Sequence, residues 1–211
     1  MPAGRPRNFD RDAALAAATR VFWEKGYRDA SMEDLTAATG VNKPSLYAAF
    51  GGKEAMFTEA VRHYVGRYVR EDAALLGQSA DGREAVRAFL VARAVRFTDP
   101  DLPPGCLITS HAGGAAGTCE AAAEAAADAD RATRTLLRTR LTRARAEGQL
   151  TGTESPAALA DHFAATLHGL SVAARVGHSR RALLGTVDLA LRAWPVGSGG
   201  RESAVAGRAV G

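Results

Sequence analysis

The sequence predicts an all-α protein in which a small N-terminal helix-turn-helix domain is followed by a larger helical domain. Three observations carry that prediction. The chain is rich in Ala, Leu and Arg, and only 6% of its residues are aromatic. Its apolar residues recur at helical spacing, and runs of Val, Ile or Thr alternating with polar residues, the mark of strands, are almost missing. Cap residues, glycines and prolines then divide the chain into pieces of helical length. With 211 residues it can bury a sizeable core, as one domain or as a small domain joined to a larger one.

Residues 1–9 hold Gly4 and Pro6 between basic residues, a poor start for a helix, and read as a flexible basic arm. Asp10 is a fit N-cap for a first helix. Leu15, Ala18, Val21 and Phe22 form its apolar stripe, Phe9 packs back on its first turn, and Gly26 ends it. Ser31 and Asp34, three apart, form an acidic capping box for a two-turn helix with Leu35 and Ala38 inward and Gly40 closing it. Asn42 caps a third helix, in which Leu46 and Phe50 face inward, and Gly51-Gly52 stops it. A longer helix runs from 53 to about 76.

Beyond it, helices are predicted over 81–97, 105–112, 118–147, 155–176 and 179–194. Pro100, Pro103 and Pro104 break the chain, Gly148 follows a helix end, and Ser155-Pro156 is an N-cap with a first-turn proline. Residues 112–130 are of low complexity and read as a Gly-rich break followed by an Ala-rich helix with a thin packing face. The tail 196–211 reads as disordered. The expected domains are therefore the arm 1–9, a helix-turn-helix domain 10–52, a larger domain 53–195 and the tail.

Charge and cysteine usage bound the function. A pI near 9.4 with a net charge of only +4 points to a localised basic region. Cys106 and Cys119 lack metal or disulfide spacing and suit a reducing cytosol. A polar N-terminus and the lack of eighteen apolar residues in a row argue against export or a membrane span, so a cytoplasmic location is expected. There is no HExxH, GxSxG or Gly-rich phosphate loop, and the five histidines are scattered, so neither an enzyme nor a cofactor or metal site is expected.

Two short helices joined by a turn with one glycine have the layout of a helix-turn-helix, whose second helix enters the major groove. At one hundred degrees per residue, Pro44, Ser45, Tyr47 and Ala48 point away from Leu46 and Phe50. An ordinary helical hairpin, with Gly40 merely a C-cap and Tyr47 a snorkelling core residue, fits the same pattern.

The stretch MEDLTAATGVNKPSLYAAFGGKEAMFTEAV, preceded by AATRVFWEKGYRDAS, resembles the N-terminal domain of TetR-type transcriptional repressors over residues 10 to 60 or so. The resemblance implies an all-helical homodimer whose first three helices bind double-stranded operator DNA. It places the inducer site and the dimer interface in the C-terminal domain. Lys43, Pro44, Ser45 and Tyr47 then lie on the recognition helix, with Ser31 at the start of the preceding one, and Lys53 sits at a phosphate. Lys43 could reach a guanine edge or a phosphate, Pro44 and Ala48 thymine methyls, and the Tyr47 hydroxyl a phosphate. Free amides at the start of the fourth helix also suit an anion. Many relatives carry an aromatic residue or histidine just before the phenylalanine, whereas positions 48 and 49 here are alanines, so one or two backbone contacts should be missing. Arg5-Pro6-Arg7 resembles an AT-hook core that would lie in the minor groove, and it reads equally as a solubilising tail.

In the larger domain, Leu159, Phe163, Leu167, Leu170 and Ala174 form one stripe and Leu183, Val187, Ala190 and Trp194 another. Val172, Val176, Leu184 and Leu191 add apolar positions off these stripes, as expected of helices that also pack on a partner subunit. The resemblance implies a four-helix dimer interface from 156–176 and 179–194 and a pseudo-palindromic operator. Phe89, Phe97, Leu107, His111, Phe163 and His168 are candidates to line the inducer site, and each also reads as a core or surface residue. Cys106, expected in the first turn of a helix, resembles a cysteine that senses electrophiles or oxidants in some of these regulators, and also reads as a small buried hydrophobe. A DNA-binding protein without an inducer remains a further alternative.

Overall fold

The computed structural model describes residues 9–112 and 119–195. The arm with Arg5 and Arg7, positions 113–118 of the low-complexity stretch and the tail 196–211 lie outside the described residues. Within them, eight α-helices follow one another: α1 (Arg11–Asp29), α2 (Met32–Thr39), α3 (Lys43–Phe50), α4 (Lys53–Gln78), α5 (Gly82–Phe97), α6 (Glu120–Ala146), α7 (Pro156–Arg175) and α8 (Arg180–Ala190). A π-helical turn, Ile108–Ala112, precedes α6, and a 3-10 turn, Leu191–Ala193, follows α8. No strand occurs among the described residues.

The predicted caps form. Asp10 accepts from the amides of Asp12 and Ala13 at 2.9 and 3.1 Å. Ser31 and Asp34 close a reciprocal capping box, with Ser31 Oγ accepting from Asp34 N at 3.0 Å and Asp34 Oδ2 from Ser31 N at 2.9 Å. Asn42 and Ser155 cap α3 and α7 in the same manner, and Asp81 and Ser179, not singled out in the sequence, cap α5 and α8. Gly40 and Gly51 end α2 and α3 in the left-handed conformation, at φ 66° and 85°.

The packing divides in two, and α4 runs through both halves. Its first turns bring Met56, Phe57, Ala60, Val61 and Tyr64 into a head core with Leu15, Phe22, Leu35, Leu46 and Phe50. At its far end Leu76 joins a second core with Phe89, Leu90, Phe97, Leu141, Phe163, Leu183 and Trp194. A helix of 26 residues spans about 39 Å, so α4 is long enough to join the two cores. Arg11 ties the start of α1 to the rest of the head: it pairs with Glu59 at 2.5 Å and lies 4.5 Å over the ring of Phe50.

Several expectations need correction. Gly26 does end the regular run of α1, at φ 79°, but one further helical turn follows it to Asp29. Ala38 is exposed, because the chain leaves α2 at Gly40 before the stripe of Met32 and Leu35 finds another neighbour, and Val41 fills the inward position instead. The predicted helix 105–112 shrinks to the π-helical turn, since Pro103, Pro104 and a left-handed Gly105 hold the segment before it non-helical. Leu191 is buried in its own chain's core rather than offered to a partner, whereas Val172, Val176 and Leu189 are exposed.

Candidate nucleic-acid interface and regulatory cavity

The head fixes which face of α3 is free. Leu46 and Phe50 are buried against the head core, and Val41 seats the turn before them. That leaves Lys43, Pro44, Tyr47 and Ala48 in solvent, with Ser45 half-buried. Tyr47 is 45% exposed, which removes the reading of it as a core residue. A Cβ on Gly52 would lie 3.6 Å from its ring, so the phenol lies alongside the Gly51-Gly52 break and the start of α4. Gly52 has φ 138°, a conformation open to glycine, and gives α4 no side-chain cap. The first amides of α4 therefore remain available to an anion.

The two lysines are held in position. Lys43 Nζ lies 3.4 Å from Glu33 Oε1, an exposed contact across the turn. Lys53 Nζ donates to the Arg28 carbonyl at 3.3 Å and sits 4.7 Å over the Tyr27 ring, so in the free protein it joins the end of α1 to the start of α4. Ser31 is occupied by its cap. Lys25 bonds Asp34 at 2.6 Å, and that hydrogen bond, with those from Ser31, holds the Asp34 carboxyl down at about 2.

A cavity of about 80 Å³ lies between α4, α5, the π-helical turn, α6 and α7. Its apolar wall comes from Val65, Val69, Phe97, Ile108 and Leu167, and its polar groups from Tyr64, Tyr68, Asp72, Arg93, Thr109, Asp130, Thr133 and His168. A buried ion pair and a histidine–carboxylate contact flank it. Arg93 and Asp72 are both almost fully buried and bonded to each other, and Arg93 also donates to the Tyr68 carbonyl at 2.9 Å. Burial pushes the Asp72 carboxyl up, opposed by Arg93. His168 Nε2 lies 3.2 Å from Asp130 Oδ1.

Cys106 also lines this cavity, half-buried. It stands before the π-helical turn rather than in a first helical turn, so the helix-end argument for it lapses. Another feature replaces that argument. The Tyr64 hydroxyl donates to Cys106 Sγ at 3.3 Å and accepts from Arg96 Nη2 at 2.7 Å. Arg96 lies 3.0 Å over the Tyr68 ring, with Tyr64 at 5.3 Å and Trp23 of α1 at 5.7 Å, and burial pulls its guanidinium pKa down. A chain of contacts thus runs from the cysteine to the head.

Of the residues proposed for an inducer site, Phe97, Cys106 and His168 reach the cavity wall. Phe89, Leu107 and Phe163 do not: each is fully buried by neighbours in the cores. His111 faces the head instead, its Nε2 3.1 Å from both Arg175 Nη2 and the Trp23 carbonyl. Arg175 can only donate, so in the Nδ1–H tautomer Nε2 accepts from it and the Trp23 carbonyl is then a contact without a hydrogen bond; burial, and then Arg175, lower the imidazole pKa. Tyr64, Tyr68 and Asp72 were not singled out in the sequence, although their i, i+4, i+8 spacing places them in one stripe along α4. Among the described residues no cluster of side chains could hold a metal, and no helix is long and apolar enough to cross a membrane.

Comparison with known proteins places this architecture. The family described as bacterial regulatory proteins, tetR family, matches residues 14–60, and the tetracyclin repressor-like C-terminal domain matches residues 82–188. The HTH-type transcriptional repressor ComR of Escherichia coli (strain K12) is 31% identical over 193 residues, 91% of this chain and 92% of that protein. The HTH-type transcriptional repressor BdcR of the same organism is 34% identical over 105 residues, half of this chain and 53% of that protein. Among solved structures, a cysteine mutant of the TetR family transcriptional regulator CifR, complexed with 26-bp double-strand operator DNA, is similar at a TM-score of 0.85 and 41% identity, covering 91% of this chain and 100% of that one. Helix order, free α3 face and both matched domains agree, and the chain belongs to the TetR family of transcriptional regulators, helix-turn-helix proteins rather than enzymes.

Proposed function

We propose that this protein is a repressor that binds a pseudo-palindromic operator as a homodimer and leaves it when a small molecule occupies the cavity. The observation that carries the reading is the free face of α3: Lys43, Pro44, Tyr47 and Ala48 stand in solvent on a helix whose other side is locked into the head core. Ser45 lies at the edge of that face, and Lys53 and the first amides of α4 supply the phosphate contact beside it. Exposed Val172 on α7, Val176 just after it and Leu189 on α8 are the apolar surface that a second copy would cover. That pairing sets two α3 helices about one DNA turn apart. Relatives support the repressor sense, ComR and BdcR being named as repressors and a CifR cysteine mutant being complexed with operator DNA.

The cavity is the inducer site in this reading. Its 80 Å³ is about half the volume of an engineered cavity that holds benzene, so the ligand is small or opens the site as it enters. A thermal-shift screen followed by operator binding tests the release. A compound that raises the melting temperature and weakens operator binding by the reciprocal factor supports it, and stabilising compounds that leave operator affinity unchanged would favour a ligand-independent DNA-binding protein.

A second reading rests on the Tyr64 bond to Cys106 Sγ. A small electrophile with an activated carbon–carbon double bond would add to the thiolate, the carbon–sulfur bond forming as the π bond breaks and the neighbouring carbon taking a proton from water, with the Tyr64 hydroxyl stabilising the charged sulfur beforehand. The adduct would fill the site as a tethered inducer. Intact-mass measurement after treatment with N-ethylmaleimide, alongside operator binding by the wild type and Cys106→Ser, decides: release that persists in the serine variant would end this reading.

A further inference from the structure

Two helix C-termini converge on a single guanidinium. The regular run of α1 breaks at Gly26, which puts the Trp23 and Glu24 carbonyls at a helix end, and α7 ends at Arg175, where the Val172, Ala173 and Ala174 carbonyls accept from the amides of Val176, His178 and Gly177; both ends carry a partial negative charge. Arg175 Nη1 donates to the Trp23 carbonyl at 3.2 Å, and Nη2 donates to the Glu24 carbonyl and to His111 Nε2, each at 3.1 Å. Lying in the last turn of α7, Arg175 also faces the negative end of its own helix. Without it, the two negative helix ends would face each other and the Trp23 and Glu24 carbonyls would lose this donor.

The surroundings are shaped for this approach. A Cβ on Gly26 would lie 2.6 Å from His111 Nδ1, and one on Gly105 would lie 2.7 Å from the Ser171 carbonyl and 3.6 Å from Arg175 Cβ. The end of α1, the segment from Gly105 to His111 and the end of α7 thus share one tightly packed joint. On its outer side stand Val172 and Val176, exposed at 53% and 69%. On its inner side, Ile108 and Thr109, in the same turn as His111, form part of the cavity wall.

We propose that Arg175 is a positioning residue for operator recognition: by tying the end of α1 to the end of α7, it fixes the angle of the head on the dimer-forming helix and so the separation of the two α3 helices. This rests on the dimeric, operator-binding reading above. A fork that bonds two successive carbonyls and an imidazole resists rotation about either helix axis, which one flexible donor does not. The quantity that Arg175 controls is therefore tolerance of half-site spacing rather than contact with DNA.

The test uses full-length protein and an operator selected from a random DNA pool. Affinity is measured for that operator and for versions with one base pair inserted or removed between half-sites, with oligomeric state and melting temperature followed in parallel. The wild type prefers the selected spacing, and Arg175→Gln remains dimeric while that preference falls about tenfold. Arg175→Lys, which keeps the charge but not the fork, falls between the two. His111→Leu, which leaves both carbonyl bonds in place, shifts the ratio less and in the same direction. A folded, dimeric Arg175→Gln with an unchanged spacing ratio overturns the proposal, even if its melting temperature drops. Should Arg175→Gln fail to fold, Arg175→Lys decides on the same ratio: a fall supports the proposal and an unchanged value overturns it. A monomeric wild type bound to single half-sites would instead overturn the dimer reading beneath it.

Discussion

The head and the C-terminal domain are both helical, yet they are specified in different ways. In the head, each turn is set by residues a few positions apart: Ser31 with Asp34, Gly40 at the end of α2, Asn42 with Ser45, Gly51-Gly52 before α4. Around the cavity, the wall is assembled from α4, α5, the π-helical turn, α6 and α7, so residues as distant as Tyr64 and His168 share one space. Local rules make a fixed reading surface. Assembly at long range makes a cavity whose shape depends on how the helices sit.

The comparison is tested most severely in the two cores. Phe57 is fully buried, with Phe22 at 5.0 Å and Tyr27 at 5.3 Å, and Phe57→Ala should cost about 3–5 kcal/mol in urea unfolding and abolish operator binding. Phe163→Ala in the second core should cost a similar amount. Arg93→Met should cost about 3–5 kcal/mol by leaving the Asp72 carboxyl buried and unpaired, whereas Arg93→Met with Asp72→Leu should recover most of that. If the single and double variants unfold alike, the ion pair does not hold the cavity wall.

Smaller effects are expected at the DNA-binding surface. Tyr47→Phe should weaken operator binding by about 1.5 kcal/mol, roughly tenfold, equally across operator variants, as loss of a phosphate contact requires. A change confined to one base position would assign Tyr47 to base reading. Smaller still is the capping box: Ser31→Ala should cost about 1 kcal/mol. The Asp34 carboxyl is lowered in the fold from its ordinary 3.8 to about 2, so its stabilising share is complete above that ordinary value and is lost as pH falls towards about 2. Asp34→Asn should flatten that part of the stability–pH curve, which urea midpoints at successive pH values would register.

The same contrast explains what the sequence disclosed. Caps, the left-handed glycines and the outward direction of Tyr47 were legible because each depends on residues within one or two turns. The resemblance of residues 10 to 60 to TetR-type repressors rests on that local pattern too. What failed depended on distant neighbours. Ala38 had the right spacing but no partner, and Leu191 looked like a partner-facing residue but is covered by its own chain. Phe89, Leu107 and Phe163 had the chemistry of a ligand wall and went to the cores, while Tyr64, Tyr68 and Asp72 formed the wall unnoticed. The joint at Arg175 was invisible, since nothing near position 175 in the sequence points to the carbonyls of Trp23 and Glu24.

The central claim is that the free face of α3, paired by dimerisation, reads DNA. Selection of bound sequences from a random pool, followed by footprinting of the enriched site, tests it most directly. The account predicts a pseudo-palindrome whose half-sites are centred about 10 base pairs apart or a multiple of that, both protected at once. Enrichment of an asymmetric single site, or of no sequence above background, would contradict it.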